Sequence, residues 1–520
     1  MKSNSRRTHF RFSLLASAVF LFTGFLALSG CGGGGGGGGG GSGASSTSTP
    51  PSSPTAQSSS TSQSGAMGVA VVDGLTEAAT PSASANGSGY ITTLPNTGAV
   101  TGATVSSAQF QPISVPALAV SASGTSLDCA NSIGAAFSYN SSVVAFFSFP
   151  SNCAPSTSTL NQIGYYTTTS VNTLGFSGAS PDVGGVILDS ADKWAIASTG
   201  DGFQIISYAT PSAPTLVKTI PSNAVASTGI DVDENFAFDP TFSESGVTDP
   251  MILSGGYSDN SVYTTSYDTN SFELADPKTG IIYKPDAATV SNFNAAVSAF
   301  DAAHPTEVTG DDVSATSCNT DQIGIDTSYQ VAVLGCEDQS FGMLLNLNAI
   351  TLTAPTTSGG DGTYTLPATA ITTFLTQSTA SGYDLDNAVV ESSTHTMFVG
   401  SGGLWTSGDE FVVGVLSNPA TKFGFATAPA LVTMPVTSSA NTQNCTASGC
   451  STISSGITWD GAGDPHANVA YLNASGDAMV LWVSGDLQNN FQGMAVINLT
   501  SVLTNPSSPP AGSVWYQGIP

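Results

Sequence analysis

Arginine is absent from this chain beyond residue 11, lysine is rare, and the four histidines are scattered. Only nine of 520 residues are basic against 36 acidic ones, and four of the nine (Lys2, Arg6, Arg7 and Arg11) crowd the N-terminus. From residue 31 onward five lysines remain (Lys193, Lys218, Lys278, Lys284 and Lys422), so that stretch carries 5 less 36, a net charge of −31. Such a surface repels phosphate backbones, which excludes nucleic acid as a ligand. With no arginine fork and no Gly-rich loop ending in Lys-Ser/Thr, the chain has no machinery for nucleotide phosphates either. Cys-x-x-Cys and Cys-x-x-Cys-His are missing too, which removes the usual zinc and covalent haem patterns. The nearest approach to Gly-x-Ser-x-Gly, from Gly175 through Ser177 to Ala179, lacks its last glycine and a strand-to-helix setting.

One long apolar run is present, over residues 14–28, after the basic N-terminus and before Ser29, Gly30 and Cys31. It is short for a bilayer span. The run and its flanks resemble the signal peptide and lipobox of bacterial lipoproteins. In those proteins small residues fit a peptidase groove and the cysteine thiol takes a diacylglyceryl group before cleavage. The resemblance implies a leader over 1–30, lipidation (palmitate among the acyl chains) at Cys31, and a membrane partner reached through that anchor. Gly32 stands where an aspartate would favour inner-membrane retention, so the implied location is the outer membrane, facing the periplasm or the medium. Residues 31–65 open with an unbroken glycine run over 32–41 and continue as Ser/Thr/Pro/Gln-rich sequence, the composition of a disordered tether. Its root-mean-square reach is about 30 Å and its contour about 110 Å.

Six further cysteines (Cys129, Cys153, Cys318, Cys336, Cys445 and Cys450) are an even number, which in an exported protein reads as three disulfides. Fifteen pairings are open. Clustering in sequence favours Cys129 with Cys153, Cys318 with Cys336, and Cys445 with Cys450.

From residue 66 to 520 the chain reads as short strands rich in Val, Ile, Phe and Thr, broken by Gly, Asn, Asp and Ser. The pattern repeats. Residues 188–198, 325–335 and 390–400 align without a gap, so that Lys193, Gln330 and His395 occupy one place in a polar turn between two apolar strands. A looser copy runs from Val469 to Val483, and each copy is followed by an acidic turn and a further strand. Successive antiparallel strands at such spacings predict propeller blades. Residues 202–218 resemble the LVIVP repeat of bacterial surface β-propellers, and the Asp-turn units resemble the related YVTN repeats. That resemblance implies a propeller in an extracytoplasmic setting; it does not extend to a reaction.

The expected fold is therefore all-β: a β-propeller of four-stranded antiparallel blades, six favoured and seven the alternative. Blades are read near 113–175, 180–225, 226–284, 310–365, 380–440 and 455–505, with residues 69–72 as a strand closing the last blade or a linker strand. One inserted helix is predicted over 289–304, where Val290, Phe293, Val297 and Phe300 fall on one face and Pro305 stops it. This helix is expected to lid the face that carries the acidic turns.

Four aspartates in those turns, Asp201, Asp338, Asp409 and Asp486, are the candidate metal ligands, with calcium the hard cation that convergent oxygens would suit. Gly-Asp is also ordinary turn chemistry, and that reading is preferred. The run from Asp231 to Asn235 lacks the glycine and glutamate of an EF-hand loop. His395 is read as a solvated turn residue, His304 as a helix-end cation, and His466 as loop structure beside Asp464. Trp194, Trp459 and Trp482 are read as core, and Trp405 as loop filler or a stacking surface. No catalytic residue is assigned. The function expected is a lipid-anchored, non-catalytic binding or scaffold module for a protein or surface component. The alternatives are a divalent-metal-dependent, lactonase-like propeller hydrolase and a structural or adhesive surface protein.

Overall fold

The computed structural model describes residues 67–72, 88–94, 109–118, 124–138, 141–150, 158–169, 182–199, 202–221, 236–244, 247–255, 272–305, 318–337, 340–376, 378, 387–400, 410–433, 442–446, 449–452, 470–473, 475–486, 491–510 and 512–518. These residues are mostly β, in six four-stranded antiparallel units. The first contains Gly124–Asp128, Ile133–Phe137, Val143–Ser148 and Leu160–Thr167, and the second Val183–Asp189, Trp194–Thr199, Gly202–Ser207 and Thr215–Pro221. The third contains Phe236–Asp239, Met251–Gly255, Phe272–Ala275 and Ile282–Pro285, and the fourth Asn319–Asp326, Val331–Glu337, Phe341–Asn346 and Ile371–Leu375. The fifth is Asn387–Glu391, Thr396–Gly400, Glu410–Val415 and Ala430–Thr433, and the sixth Ala470–Leu472, Ala478–Asp486, Phe491–Asn498 and Val514–Gly518.

The first strand of each sheet stands beside the first strand of the next, from Gly124–Asp128 against Val183–Asp189 through to Asn387–Glu391 against Ala470–Leu472. Apolar side chains fill the spaces between. Phe137, Phe146, Val186 and Ala197 join the first two sheets, Phe203, Ile205, Phe236 and Ile252 the second and third, and Val333, Leu344, Val390 and Met397 the fourth and fifth. A sheet with two apolar faces cannot stand alone in water, so stacking side by side is how these sequences bury themselves.

Three outer edges receive an extra, parallel strand. Gln109–Ser114 pairs with Leu160–Thr167, Gly362–Thr365 with Ile282–Pro285, and Thr442–Thr446 with Val514–Gly518. An uncovered edge presents unpaired N–H and C=O groups, and these additions satisfy them. They also correct two expected boundaries. The fourth sheet takes its last strand from Ile371–Leu375, because Thr351–Thr353 and Gly362–Thr365 form a hairpin that crosses to the third sheet. The sixth ends at Val514–Gly518, beyond residue 505. Residues 69–72, read as a strand closing the last blade or a linker strand, do not join the sixth sheet: Met67–Val72 pairs with Ser88–Leu94, which pairs with Gln109–Ser114, and Met67–Val72 lies next to Gly124–Asp128.

Helix α1 spans Ala287–Ala303, with Asp286 as N-cap accepting from Thr289 N at 2.7 Å and His304 as C-cap. Its buried side chains are Thr289, Phe293, Val297 and Phe300. Thr289 takes the place predicted for Val290, since its hydroxyl accepts from Leu366 N at 2.8 Å and the cap turns that side inward. The helix is a core element and not a lid: Phe293, Val297 and Phe300 join the cluster between the third and fourth sheets. Cys318 and Cys336 form a disulfide within the fourth sheet, and Cys129 is disulfide-bonded. The backbone sets Cys445 opposite Cys450 across a hairpin, whereas Cys153 lies outside the described residues. Among the described residues no helix is long and apolar enough to cross a membrane.

Candidate functional site

The chemistry-bearing residues gather at one recurring place, the turn between the first and second strands. Every first strand ends on or beside an acid or amide (Asp128, Asp189, Asp239, Asp326, Glu391 and Asn473), and each side chain accepts a turn N–H at 2.8 to 3.1 Å. This is Asx-turn chemistry, extended by one methylene at Glu391. In five of the turns the residue before or near the second strand has positive φ: Ser132, Lys193, Gln330, His395 and Gly476. The gapless alignment of Lys193, Gln330 and His395 is thus a shared left-handed backbone position.

The turns also hold one another. Between the first and second sheets, Ser190 Oγ and Tyr208 Oη each donate to Asp128 at 2.7 Å, while Asn131 Nδ2 donates to Ser190 O at 3.0 Å. Between the third and fourth, Thr241 Oγ1 donates to Thr327 O at 3.1 Å and accepts from Gln330 Nε2 at 2.9 Å. Between the fourth and fifth, Thr327 N donates to Ser392 Oγ at 3.0 Å and His395 Nδ1 lies 2.7 Å from Asp326 Oδ2. Burial pushes the Asp189, Asp239 and Asp326 carboxyls up, against hydrogen bonds that favour the charged form. Tyr208 is pushed far up by burial and by the Asp128 carboxylate it donates to.

His395 is accordingly more than a solvated turn residue. Its ring stacks on Tyr329 with centroids 3.5 Å apart, and its carboxylate partner is fully buried. Sequence reasoning missed that partner because Asp326 lies 69 residues away in the neighbouring sheet. An aspartate–imidazole pair is also the orienting half of a nucleophilic triad. Here the adjacent hydroxyl, Ser392 Oγ, is hydrogen-bonded to Thr327, and the pair joins two sheets. His304 stacks on Phe300 at the helix end, as a structural role requires, and Trp194 packs partly buried against the core. Asp201, Asp338, Asp409, His466, Trp405, Trp459 and residues 175–179 lie outside the described residues. Asp486 ends the second strand of the sixth sheet, opposite Phe491. Among the described residues no group of three or more His, Cys, Asp and Glu is placed to hold a metal ion.

A second feature carried no sequence signal. Glu273 lies inside a strand, is 4% exposed, and its Oε1 has no hydrogen-bond partner among the described residues. The register of Leu274 with Tyr283 sets it across from Lys284, whose Nζ is 3.0 Å from Asp361 Oδ2. Burial pushes the Glu273 carboxyl up to about 8, with Lys284 pulling the other way and Asp361 adding to the rise.

No protein-family model matches the chain, and no curated protein matches it. Among solved structures it is similar to a protein from Lactobacillus plantarum at 11% identity, covering 86% of this chain and 99% of that one with a TM-score of 0.45. A 6-phosphogluconolactonase candidate from Bacteroides fragilis matches at 9% identity over 88% and 94% of the two chains, with a TM-score of 0.41. A GH74 xyloglucanase from Xanthomonas campestris matches at 11% identity over 82% of this chain and 52% of its own, with a TM-score of 0.42. Likeness at this level says nothing about a reaction.

Proposed function

We propose that this chain is a lipid-anchored cell-envelope β-propeller that acts as a non-catalytic binding or scaffold module for a protein or another surface component. Six four-stranded sheets are its blades. The strands Met67–Val72, Ser88–Leu94 and Gln109–Ser114, the first of which lies beside Gly124–Asp128 as the other first strands lie beside one another, are read as a further, three-stranded blade next to the first. The observation that carries the non-catalytic reading is the engagement of the first-turn acids. All six sheets use the acid or amide there to cap the turn, and two junctions tie such an acid directly to the next sheet. Turn capping engages all six groups, and at Asp128 and Asp326 it is joined by a bond to the neighbouring blade. The lipobox and the tether supply the anchor and the reach.

Palmitate labelling of the full chain and of Cys31→Ser in a Gram-negative host tests the anchor: label on the first and none on the second is expected, and an unlabelled wild type removes it. Assay of the mature chain against lactones with and without divalent metal tests the rest. Metal-dependent turnover would replace the binding reading with the hydrolase.

A further inference from the structure

The outer edge of the sixth sheet carries a hairpin of Thr442–Thr446 and Gly449–Thr452, joined to the sheet where Thr442 pairs with Tyr516 and Gln443 with Gln517. Gly449–Thr452 is the terminal strand, and among the described residues nothing pairs with its far side. The register sets Cys445 directly opposite Cys450 and Thr446 opposite Gly449, with only residues 447 and 448 between that last pair. A pair that closes a two-residue turn is a hydrogen-bonded one, so the cysteines, one step further back, form a non-hydrogen-bonded pair. Cα atoms in such a pair stand about 4.5 Å apart, just above the lower limit of about 4.4 Å for a disulfide. A bond across this pair is allowed, and it closes a ring with only residues 446–449 between the cysteines. So short a ring adds little to the stability of the whole fold, which can therefore survive its opening. Cys318 and Cys336 are placed otherwise. Their bond spans a sequence separation of 18, and both residues are buried in the cluster with Phe341 and Leu334, where an attacking thiolate arrives only if the core opens.

We propose that Cys445 and Cys450 are a reversible redox site, opened by a dithiol and closed by a disulfide reagent of the cell envelope, that sets how firmly the hairpin covers the outer edge of the sixth sheet. The inference goes beyond the binding reading above and shares with it only the extracytoplasmic setting. In the opening step a thiolate of the dithiol attacks one cysteine sulfur, a mixed disulfide forms, and the other cysteine leaves as a thiolate. The second thiol of the reductant then attacks the mixed disulfide and releases the first cysteine. Two electrons and two protons pass to the protein pair, one disulfide is broken and one is formed on the reductant; closing runs the same steps in reverse. With the bond in place the two hairpin strands are locked together, and Thr442–Thr446 is held on Val514–Gly518. Without it the hairpin is a two-stranded ladder, marginal on its own, tied to the sheet at Thr442 and Gln443. Its departure bares backbone groups of Val514–Gly518 as an open strand edge.

The test equilibrates the mature chain at pH 7 in mixtures of reduced and oxidised dithiothreitol, quenches with acid, alkylates free thiols, and reads each cysteine by peptide mass spectrometry. Cys445 and Cys450 should be half-reduced at a ratio of reduced to oxidised reagent at least about a hundredfold lower than Cys318 and Cys336 require, with far-UV circular dichroism unchanged. Returning the sample to oxidised reagent should restore the bond. Hydrogen exchange over 442–452 and 514–518 should quicken in the reduced chain. Cys445→Ser with Cys450→Ser should show the same quickening and no further response to the reagent at that ratio. Reduction of both pairs at one ratio, or only as the chain unfolds, would make Cys445–Cys450 a fixed clip and overturn the redox site. Free thiols at 445 and 450 under fully oxidising conditions would overturn it as well. Reduction that leaves exchange over 514–518 unchanged would overturn the link to the sheet edge. None of these outcomes bears on the lipid anchor or on turnover of lactones, whose own assays decide the binding reading.

Discussion

Glu273 gives the folded state a proton that the unfolded chain does not hold. Its carboxyl titrates near the usual 4.5 when unfolded but at about 8 inside the sheet, where burial disfavours the charge and Oε1 finds no donor among the described residues. Between those two values the unfolded chain binds fewer protons, so folding stability falls as pH rises, by about 1.4 kcal/mol per unit. The loss totals about 5 kcal/mol across the window, of which about 3 kcal/mol is already gone at pH 7. Below the unfolded value the contribution is fully retained, and above the folded value no further loss occurs. Glu273→Gln keeps the shape and removes the titration. Urea unfolding of wild type and variant at pH 5, 6, 7 and 8 isolates the effect, since every other carboxylate is common to both proteins. The variant should gain steadily on wild type up to about pH 8 and then level off. A stability difference that stays constant from pH 5 to 8 would refute the reasoning.

Removing the disulfide by Cys318→Ala with Cys336→Ala frees a loop of 18 residues and should cost about 3 kcal/mol, read from urea midpoints. At Gly324 an added Cβ would lie 2.8 Å from Ala388 O in the neighbouring sheet, a backbone atom that cannot swing aside. Gly324→Ala should therefore cost about 2 kcal/mol or more, and a loss below about 0.5 kcal/mol would contradict the close approach of the two sheets. His395→Ala should cost about 2 kcal/mol by stripping Asp326 of its partner. His395→Gly should be milder by about 1 kcal/mol, because the backbone φ of 57° suits glycine.

Local chemistry was legible in the sequence wherever it repeats. The alignment of Lys193, Gln330 and His395 identified a shared turn position, and the structure adds that its backbone is left-handed. Four strand-turn-strand units, three of them aligned without a gap, emerged from the alternation of Val, Ile and Phe with turn residues, and six blade ranges were read around them. What escaped depends on contacts between distant segments. His395 and Asp326 belong to different repeats, and only stacking of their sheets makes them a pair. The hairpin over 351–365 has the pattern of any strand pair, and its crossing to the third sheet follows from an edge there that needs covering. Val290 and Thr289 are equally consistent with helical spacing; the Asp286 cap and the Leu366 N–H decide between them. Glu273 sits in an ordinary strand sequence, and nothing in its neighbours reveals that its carboxyl is buried.

The central claim is that the acids of the turns between first and second strands cap those turns, tie neighbouring sheets at Asp128 and Asp326, and do not hold an ion. Thermal unfolding of the mature chain in EDTA and then in excess calcium tests it most directly. The account predicts the same midpoint in both. A rise of several degrees in calcium, abolished by Asp128→Asn with Asp326→Asn, would contradict it and establish a cation site at those turns.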